Sequence, residues 1–580
     1  MKKIALLQLV FPLYLFGQVG IGTLSPYGML DINSGDLGLL LPRVTSIEDV
    51  TDGQGNLAVD GTVVYDVSRD KTCFRIDGCW VGMGKDSGGN SLVEKVNPFL
   101  GSVTHYIKAS NTESGDLFGR ILSISKDGNY LAVGAPFEDS NATGINGNQS
   151  NNSASAAGAV YVYRRSGTTW VQEAYIKASN AEVGDQFGTG VALSEDGSRL
   201  AVAADNEDSG ATGVNGNQSD NSVGSSGALY VFKRTGTTWT QEAYIKASNT
   251  GFADHLGNSA LAINDDGSVL AAGAYREDSN ATGINGNQSD NSAAEAGAVY
   301  VFSRSGTTWS QQAYVKASNT EADDYFGWEV ALSGDGTRMA VWGAQEDSNA
   351  TGINGNQSNN SASRAGAVYI FVNNAGTWSQ EAYVKASNTG VIDFFGSALS
   401  FNYDGSMLAT SAIGDDSPST GINGSQTGGN LTDNYGSVYI FSRTGTTWSQ
   451  EAYIKPSTAD VGDNFGSSLS LNSDGTRLAV GVSGEDSNAT GVDGNESNNS
   501  SLSSGAVFVF GKEDGTWFQE SYIKASNTDG SDVFGICSLS SGCKMYLAIG
   551  AYNEASNATG IDGNQNNNSA LGAGAVYIIE

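Results

Sequence analysis

The fold of this chain is decided by the stretch YIKASNAEVGDQFGTGVALSEDGSRLAVAA, residues 175–204, together with GALYVF at residues 227–232 and TTWTQEA at residues 237–243. The same block then begins again. Its opening tyrosine recurs every 69 or 70 residues, at Tyr106, Tyr175, Tyr244, Tyr314, Tyr383, Tyr453 and Tyr522. A near-constant period of this length indicates a solenoid, an array or a propeller.

Each repeat predicts four short β-strands. In the block quoted above we place them at residues 188–194, 200–204 and 227–232 and from residue 237 onward. An Asp-Gly pair, which suits the positive φ angles of a tight hairpin, separates the first two strands in six repeats. Its aspartates are Asp127, Asp196, Asp266, Asp335, Asp404 and Asp474. The alternation in WTQEAYIK indicates a fourth strand with one wet face, where we expect the recurring lysine, Lys108 through Lys524.

Such a unit cannot bury its apolar faces alone, so we predict an all-β fold, a seven-bladed β-propeller of four-stranded blades. Six repeats carry a tryptophan in the fourth strand, which we expect to pack in the core: Trp170, Trp239, Trp309, Trp378, Trp448 and Trp517. The seventh repeat ends at Glu580 without this strand, whereas residues 98–110, PFLGSVTHYIKAS, end in the sequence that closes every other fourth strand. We therefore expect residues 98–110 to complete the last blade and to remove an exposed sheet edge.

The repeat also resembles a known family. Phe-Gly, followed by VGAP at residues 133–136 and GAVYVY at residues 158–163, is similar to the FG-GAP repeat, the blade sequence of the integrin α-subunit propeller. The resemblance covers nearly all of residues 98–580 and implies a seven-bladed β-propeller. Integrin blades carry an Asp-rich calcium loop between their first two strands. Here that position holds only the Asp-Gly turn, so the resemblance does not imply calcium binding there.

The first 97 residues do not repeat. Residues 1–17, MKKIALLQLVFPLYLFG, place two lysines before a short apolar run, which predicts a signal peptide and a secreted or outer cell-surface location. A membrane anchor is the alternative, but the run is short for a membrane span. Residues 18–97 are similar to a small β module that precedes varied domains in secreted bacterial surface proteins, which implies attachment or spacing. An ordered linker that caps the propeller is the alternative.

The composition limits the classes of partner. Charged residues are 16% of the chain and the formal net charge is -32. This acidity argues against nucleic acid and anionic membranes, since phosphates need Lys and Arg partners. It is compatible with divalent cations and neutral glycans. We expect an extracellular protein or glycan as partner, and no later apolar run is long enough for a membrane helix.

The four cysteines form two local pairs, Cys73 with Cys79 and Cys537 with Cys543. In an exported chain each pair is expected to close a small disulfide. A metal site is the alternative, but no histidine lies near either pair. The only histidines are His105 and His255, and we interpret His255 as incidental.

The loop between the second and third strands is the most distinctive candidate site. In the first repeat Asp139, Asn141 and Thr143 alternate before Gly144, which is similar to the first half of a calcium loop. The full set recurs as Asp278, Asn280, Thr282; Asp347, Asn349, Thr351; and Asp486, Asn488, Thr490. No bidentate Glu closes the loop, because Ser150 stands in that place. Two interpretations stay open: a weak calcium site, or a loop in which Asn, Asp and Thr satisfy their own backbone.

A second acidic position lies two residues before Phe-Gly in all seven repeats. Its members are Asp116, Asp185, Asp254, Asp324, Asp393, Asp463 and Asp532. We expect this aspartate to accept backbone N–H bonds and to tie neighbouring blades together, with metal binding as the second interpretation. Because this connection and the long loop lie at the same end of the strands, we predict that this face carries the ligand.

No catalytic constellation is present in the sequence, and near-identical blades argue against an enzyme. We therefore predict a binding or adhesion protein. An extracellular polysaccharide hydrolase or lyase with an axial site is the alternative, as is a purely structural surface component. An axial enzyme would show as single polar substitutions near the channel. Trp328 and Trp342 are the clearest irregularities of this kind.

Overall fold

A computed structural model describes residues 19–21, 30–32, 41–44, 50, 62–67, 71–76, 79–85, 91–95, 101–542 and 545–580. The chain divides into two compact units, residues 1–97 and residues 98–580. All regular elements in the described ranges are β-strands. Within those ranges, no helix is long and apolar enough to cross a membrane. The predicted signal peptide, residues 1–17, lies outside the described residues.

The first unit contains a parallel strand pair and a five-stranded sheet. The pair is β1 (Val19–Ile21) and β2 (Leu30–Ile32). The sheet follows chain order and contains β3 (Arg43–Val44), β4 (Val63–Asp66), β5 (Lys71–Ile76), β6 (Cys79–Lys85) and β7 (Ser91–Lys95). Cys73 is buried on β5. The side chain of Cys79 lies outside the described residues, so the Cys73–Cys79 disulfide stays a prediction.

The second unit contains seven four-stranded antiparallel sheets, the blades, as predicted. Blades 1 to 3 are β9 (Ile121–Ile124), β10 (Tyr130–Ala135), β11 (Ala159–Ser166), β12 (Thr169–Ile176); β13 (Phe187–Leu193), β14 (Arg199–Ala204), β15 (Ala228–Thr235), β16 (Thr238–Ile245); and β17 (Leu261–Ile263), β18 (Val269–Ala274), β19 (Ala298–Ser305), β20 (Thr308–Val315). Blades 4 to 6 are β21 (Phe326–Leu332), β22 (Arg338–Gly343), β23 (Ala367–Asn374), β24 (Thr377–Val384); β25 (Phe395–Phe401), β26 (Met407–Ala412), β27 (Ser437–Thr444), β28 (Thr447–Ile454); and β29 (Phe465–Leu471), β30 (Arg477–Val482), β31 (Ala506–Glu513), β32 (Thr516–Ile523).

Blade 7 joins the two ends of the propeller, as the sequence predicted. It contains β33 (Phe534–Leu539), β34 (Leu547–Ala551), β35 (Ala575–Ile579) and, as its outer strand, β8 (Val103–Ile107). Tyr106 pairs with Tyr577 across this antiparallel contact. The pairing leaves β35 with a neighbour on both sides and removes the edge that an incomplete blade would expose.

Phe-Gly and the glycine that opens the third strand bring neighbouring blades together. Within blade 2, Phe187 packs edge-on against Tyr230, with ring centroids 5.3 Å apart. Gly158 of blade 1 has a φ of 78°, and a Cβ there would lie 2.2 Å from the Phe187 carbonyl oxygen of blade 2. Only glycine permits both this conformation and this approach.

The first strands surround an axial cavity of about 210 Å³, lined by residues that include Leu122, Val191, Leu261, Val330 and Leu399. Main-chain donors of the hairpin turns join each blade to the next around one end of this cavity. The seven N–H bonds run from Asp127 to Glu195 O, Glu195 to Asp265 O, Asp265 to Gly334 O, Asp335 to Tyr403 O, Tyr403 to Ser473 O, Ser473 to Ser541 Oγ and Ser541 to Lys126 O. The hairpin turns therefore hold the ring together near its axis.

The tryptophans of the fourth strands pack in the core, as predicted, and are 2–4% exposed. Each indole N–H of the five later tryptophans donates to a side chain of the preceding blade. These acceptors are Glu173, Glu242, Gln312, Glu381 and Glu451, at 2.8–3.2 Å. Trp170 Nε1 has no hydrogen-bond partner among the described residues. Thr104 of the closing strand stands where the other blades have Glu or Gln, so this bond is missing at the seam of the ring.

Candidate functional site

The strand order gives the propeller two different faces. We call the face with the first-to-second and third-to-fourth strand turns the turn face. We call the opposite face, which carries the second-to-third loops and the connections between blades, the loop face. In blade 2 the loop-face segments are residues 205–227 and 246–260, whereas the turn-face segments are residues 194–198 and 236–237. The loop face therefore offers the greater variety of side chains.

The long loops are held against their own blades. In blade 1, Ile145 forms a β-bridge with Ile176. The Asn146 N–H donates to Tyr175 O at 2.7 Å, and Asn146 Oδ1 accepts the Tyr175 N–H at 3.0 Å. The bridge recurs in every blade. The loop face is therefore an ordered surface, although its sequence is rich in Asn, Ser and Gly.

A buried acidic residue at the start of each long loop, a glutamate in six blades and Asp415 in blade 5, organises this face. Glu138 accepts hydrogen bonds from Lys177 Nζ at 2.7 Å, Tyr175 Oη at 2.7 Å and Asn111 Nδ2 at 3.0 Å. Asn111 follows β8 of blade 7, so this bond ties adjacent blades together. Lys177 is fully buried and Glu138 is 1% exposed. Burial lowers the pKa of Lys177, and the charge of Glu138 opposes this shift.

The same acid–lysine pair occurs in all seven blades, at 2.6–3.2 Å. The other pairs are Lys108–Glu554, Lys246–Glu207, Lys316–Glu277, Lys385–Glu346, Lys455–Asp415 and Lys524–Glu485. The prediction that the recurring lysine lies on the wet face of the strand was wrong. Tyr175 and Lys177 lie on the same side of the chain, and the long loop covers that side and supplies the counter-charge.

The aspartate before Phe-Gly accepts a backbone N–H bond, as the sequence predicted, but this bond lies within the connection and does not itself join two blades. Asp116 is 4% exposed, and its Oδ2 accepts the Glu113 N–H at 3.1 Å. Equivalent bonds to the residue three positions earlier occur for Asp185, Asp254, Asp324, Asp393, Asp463 and Asp532. Burial raises the pKa of Asp116 to about 8, and the backbone hydrogen bond opposes this shift.

The residues of the predicted calcium loops are spread along the surface of each long loop. Asp139 Oδ1 accepts the Ala156 N–H at 2.8 Å across the loop. Asp278, Asp347 and Asp486 make the same bond, at 2.7–2.9 Å. The side chains of Asn141 and Thr143 are exposed. In the described part of the chain, no three His, Cys, Asp or Glu side chains form a group that could hold a metal ion.

The predicted disulfide of blade 7 involves a residue that is not described. Cys537 is buried on β33, and its Sγ lies 3.1 Å from Ser468 Oγ of blade 6. Burial raises the pKa of the Cys537 thiol to about 11. Cys543 lies outside the described residues, so the Cys537–Cys543 disulfide stays a prediction.

Side chains that differ from blade to blade surround the axis on the loop face. They occupy three positions of the repeat: the residue before Phe-Gly, the residue after Phe-Gly, and the first residue after the second strand. Around blades 2 to 4 this places Asp205, His255, Tyr275, Tyr325 and Trp328 near one another. Sequence reasoning singled out Trp328 but missed the others, and it interpreted His255 as incidental. Comparison of the seven repeats position by position would have identified them.

Four of these side chains carry rings, and together with Trp342 they form a continuous aromatic cluster. Tyr275 lies 4.4 Å from Trp328 and 5.8 Å from Tyr325, measured between ring centroids. Trp328 also lies 6.4 Å from Trp342, and His255 stacks on Tyr275 at 5.6 Å. We call His255, Tyr275, Tyr325, Trp328 and Trp342 the aromatic cluster. It extends over blades 3 and 4 and has no counterpart in the repeated sequence.

Charged groups surround the aromatic cluster. His255 Nδ1 lies 3.8 Å from Asp205 Oδ2, and the Tyr325 hydroxyl donates to Glu295 Oε2. Arg276 Nε lies 3.8 Å from Glu295 Oε1. Burial raises the pKa of Asp205 to about 6 and that of Glu329, next to Trp328, to about 8. These groups can donate and accept hydrogen bonds beside an apolar ring surface.

Exposed apolar side chains also concentrate on the loop face. They belong to the long loops and to the connections between blades: Val183, Phe252, Leu431, Val461, Leu502 and Leu571, which are 61–79% exposed. Phe252 is the most exposed of them at 79%. Apolar side chains exposed on one ordered face are a feature of surfaces that bind other molecules.

Comparisons with known proteins agree with this architecture. The family described as FG-GAP repeat matches residues 103–163, 170–232 and 309–371. The comparison with curated proteins finds no match. Similar solved structures include a putative 6-phosphogluconolactonase from Bacteroides uniformis (13% identity, 77% of this chain and 93% of that chain, TM-score 0.39). The periplasmic gluconolactonase PpgL of Pseudomonas aeruginosa is also similar (14% identity, 78% and 93%, TM-score 0.41).

A third similar structure is the Cps50 (Swd1) β-propeller domain of Myceliophteria thermophila (8% identity, 83% of this chain and 99% of that chain, TM-score 0.42). At these identities and TM-scores the similarities transfer no activity to this chain. The FG-GAP fold suggests a protein-binding or adhesion-like role. Three of the seven repeats therefore match the FG-GAP repeat family, and the second unit of the chain folds as a β-propeller of seven four-stranded blades.

Proposed function

We propose that this chain is a secreted or cell-surface binding protein, whose loop face recognises an extracellular protein or glycan. The observation that carries the proposal is the concentration of blade-specific and exposed apolar side chains on the loop face. The turn face has short segments instead, and main-chain bonds join its hairpin turns around the axis. A rigid ring that presents ordered, variable loops on one side is suited to recognition.

The proposed location rests on the sequence of residues 1–17, and the proposed attachment role rests on the small β module that follows. Calcium assistance is part of the same proposal. One oxygen of Asp139 binds the loop backbone, and any calcium would depend on its other oxygen with Asn141 and Thr143. The chemistry of this set predicts weak binding, with a Kd of about 10⁻⁴ to 10⁻³ M, because each set contains a single carboxylate and no bidentate Glu completes it.

Masking each face separately tests the proposed function. A bulky polyethylene glycol group is attached to a cysteine at Phe252→Cys on the loop face or at Thr237→Cys on the turn face. Both positions are exposed. The full chain is then applied to an array of neutral glycans and extracellular proteins. We expect the Phe252 label to abolish binding and the Thr237 label to leave it unchanged, with the parent chain treated by the same reagent as control.

Two results would contradict the proposal. One is loss of binding with the Thr237 label but not with the Phe252 label. The other is no binding by the parent chain to any member of the array, which would favour a purely structural surface component.

An axial hydrolase or lyase is the second candidate function. One observation favours it: Asp205, beside His255, and Glu329, next to Trp328 in the chain, are blade-specific carboxyl groups, and burial raises their pKa values to about 6 and about 8. Carboxyl groups with separated pKa values can divide the roles of base and acid. Turnover of a neutral or acidic polysaccharide by the parent chain, lost in a Glu329→Gln variant, would establish this function in place of simple binding.

A further inference from the structure

The aromatic cluster interrupts an otherwise regular repeat. At the position of Trp342 the other blades have only small residues: Gly134, Ala203, Gly273, Ser411, Gly481 and Gly550. A Cβ at Gly396, whose φ is 112°, would lie 2.2 Å from Trp342 Cδ1. The indole is therefore accommodated because glycine stands opposite it in blade 5. A tryptophan in place of a small residue in one blade alone indicates a role in function, since the other six blades fold without it.

Buried polar atoms without partners lie at both ends of the cluster. Asp205 is 6% exposed and Trp342 is 7% exposed. Asp205 Oδ1, Trp342 Nε1 and His255 Nδ1 have no hydrogen-bond partner among the described residues. Buried polar groups are almost always hydrogen-bonded, so each unpaired one needs an explanation. The acceptor of Asp205 and the imidazole nitrogen lie at the Tyr275 end of the cluster and the indole donor lies beside Trp328, so a bound molecule with several hydroxyls would satisfy them.

The charges of the cluster, which also include Arg120 near Asp205, favour a neutral ligand over a cationic or an anionic one. Arg276 already occupies the place of a cation, since its guanidinium carbon lies 5.3 Å from the Tyr275 ring centroid and its Nε lies 3.8 Å from Glu295. A cationic ligand would compete with it for the same ring and carboxylate. An anionic ligand would meet the carboxyl groups of Asp205 and Glu295 in a chain with a formal net charge of -32. A neutral ligand with an apolar face and several hydroxyls meets neither obstacle.

We infer that the aromatic cluster, with Asp205, is a binding subsite for a neutral saccharide unit. The C–H face of the sugar ring would stack on an aromatic ring, and its hydroxyls would bind Asp205 Oδ1, His255 and Trp342 Nε1. Half-buried Tyr325 and Trp328 present ring surface to solvent at this point. The inference rests on the proposed function, because it names the ligand class and the part of the loop face that binds it.

The test uses the full chain and soluble neutral di- and trisaccharides of glucose, galactose, mannose and N-acetylglucosamine. Binding is measured by calorimetry and by tryptophan fluorescence. We expect saturable binding of at least one sugar, with loss in Trp328→Ala and at least a tenfold increase of Kd in Asp205→Asn. Trp342→Phe keeps an aromatic ring but removes the N–H donor, and should also raise Kd. Phe518→Ala, an exposed aromatic on the outer strand of blade 6, should bind as the parent does.

The inference is overturned if no sugar binds saturably, or if Asp205→Asn and Trp342→Phe bind as tightly as the parent. These two conservative variants decide the question if Trp328→Ala does not fold, which thermal melting shows. The two proposals fail separately. Suppose that the Phe252 label abolishes binding to the array but the cluster variants bind as the parent does. The loop face would then remain the binding surface, and the aromatic cluster would not be a saccharide subsite.

Discussion

Replacing one buried lysine tests the charge network beneath the loop face. A Lys177→Met variant keeps most of the side-chain volume but leaves the Glu138 carboxylate buried, at 1% exposure, without its cation. Removing one partner of a buried ion pair costs about 3–5 kcal/mol. Glu138 keeps hydrogen bonds from Tyr175, Asn111 and the Ser140 N–H. We therefore expect the lower end of this range, about 3 kcal/mol, in the free energy of unfolding.

The assay is urea unfolding of the full chain, followed by tryptophan fluorescence. The matched control is Lys512→Met, since Lys512 also binds a glutamate, Glu451 at 2.6 Å, but both side chains are about one-fifth exposed. We expect this control to lose less than about 1 kcal/mol. The double variant Lys177→Met with Glu138→Gln removes the stranded charge and should recover about half of the loss.

The reasoning is refuted if Lys177→Met costs no more than the control. It is also refuted if the double variant is no more stable than Lys177→Met, because the penalty would then not come from an unpaired carboxylate. The first result would mean that this buried pair is replaceable by packing alone, and the second that the lost stability has another origin than the stranded charge.

Three further predictions follow from the same geometry. Because burial raises the pKa of Asp116 from 3.8 to about 8, the folded chain holds this proton more tightly than the unfolded chain. Stability should therefore decrease as the pH rises from about 4 to about 8, and Asp116→Asn should show a smaller decrease in melts across this range. Thr104→Gln should give Trp170 Nε1 the acceptor that Gln312 gives Trp378, and should stabilise the ring by about 1 kcal/mol in urea unfolding; an unchanged midpoint would contradict this. Calorimetry should detect weak calcium binding to the parent and none after Asp139, Asp278, Asp347 and Asp486 are changed to Ala; binding that survives, or no binding to either protein, would assign these aspartates to the loop backbone alone.

The sequence predicted the blades because their signals are local. The Asp-Gly turns, the strand alternation and the Tyr106 segment each identify a strand or its partner without knowledge of tertiary contacts. The burial of Lys177 could not be predicted in this way, since the side of the strand that it occupies becomes dry only when the long loop folds over it. The residues of the aromatic cluster are separated along the chain, and the packing of blade 4 against blade 3 brings them together.

Hydrogen–deuterium exchange tests the central claim, that ligand binds at the loop face near the axis, most directly. The full chain is measured with and without a saturating concentration of the neutral oligosaccharide that binds it most tightly. The account predicts protection of the connections and long loops of blades 2 to 4, which include His255 and Tyr275, with no change at the Asp-Gly turns. Protection confined to the Asp-Gly turns or to the outer strands would contradict it.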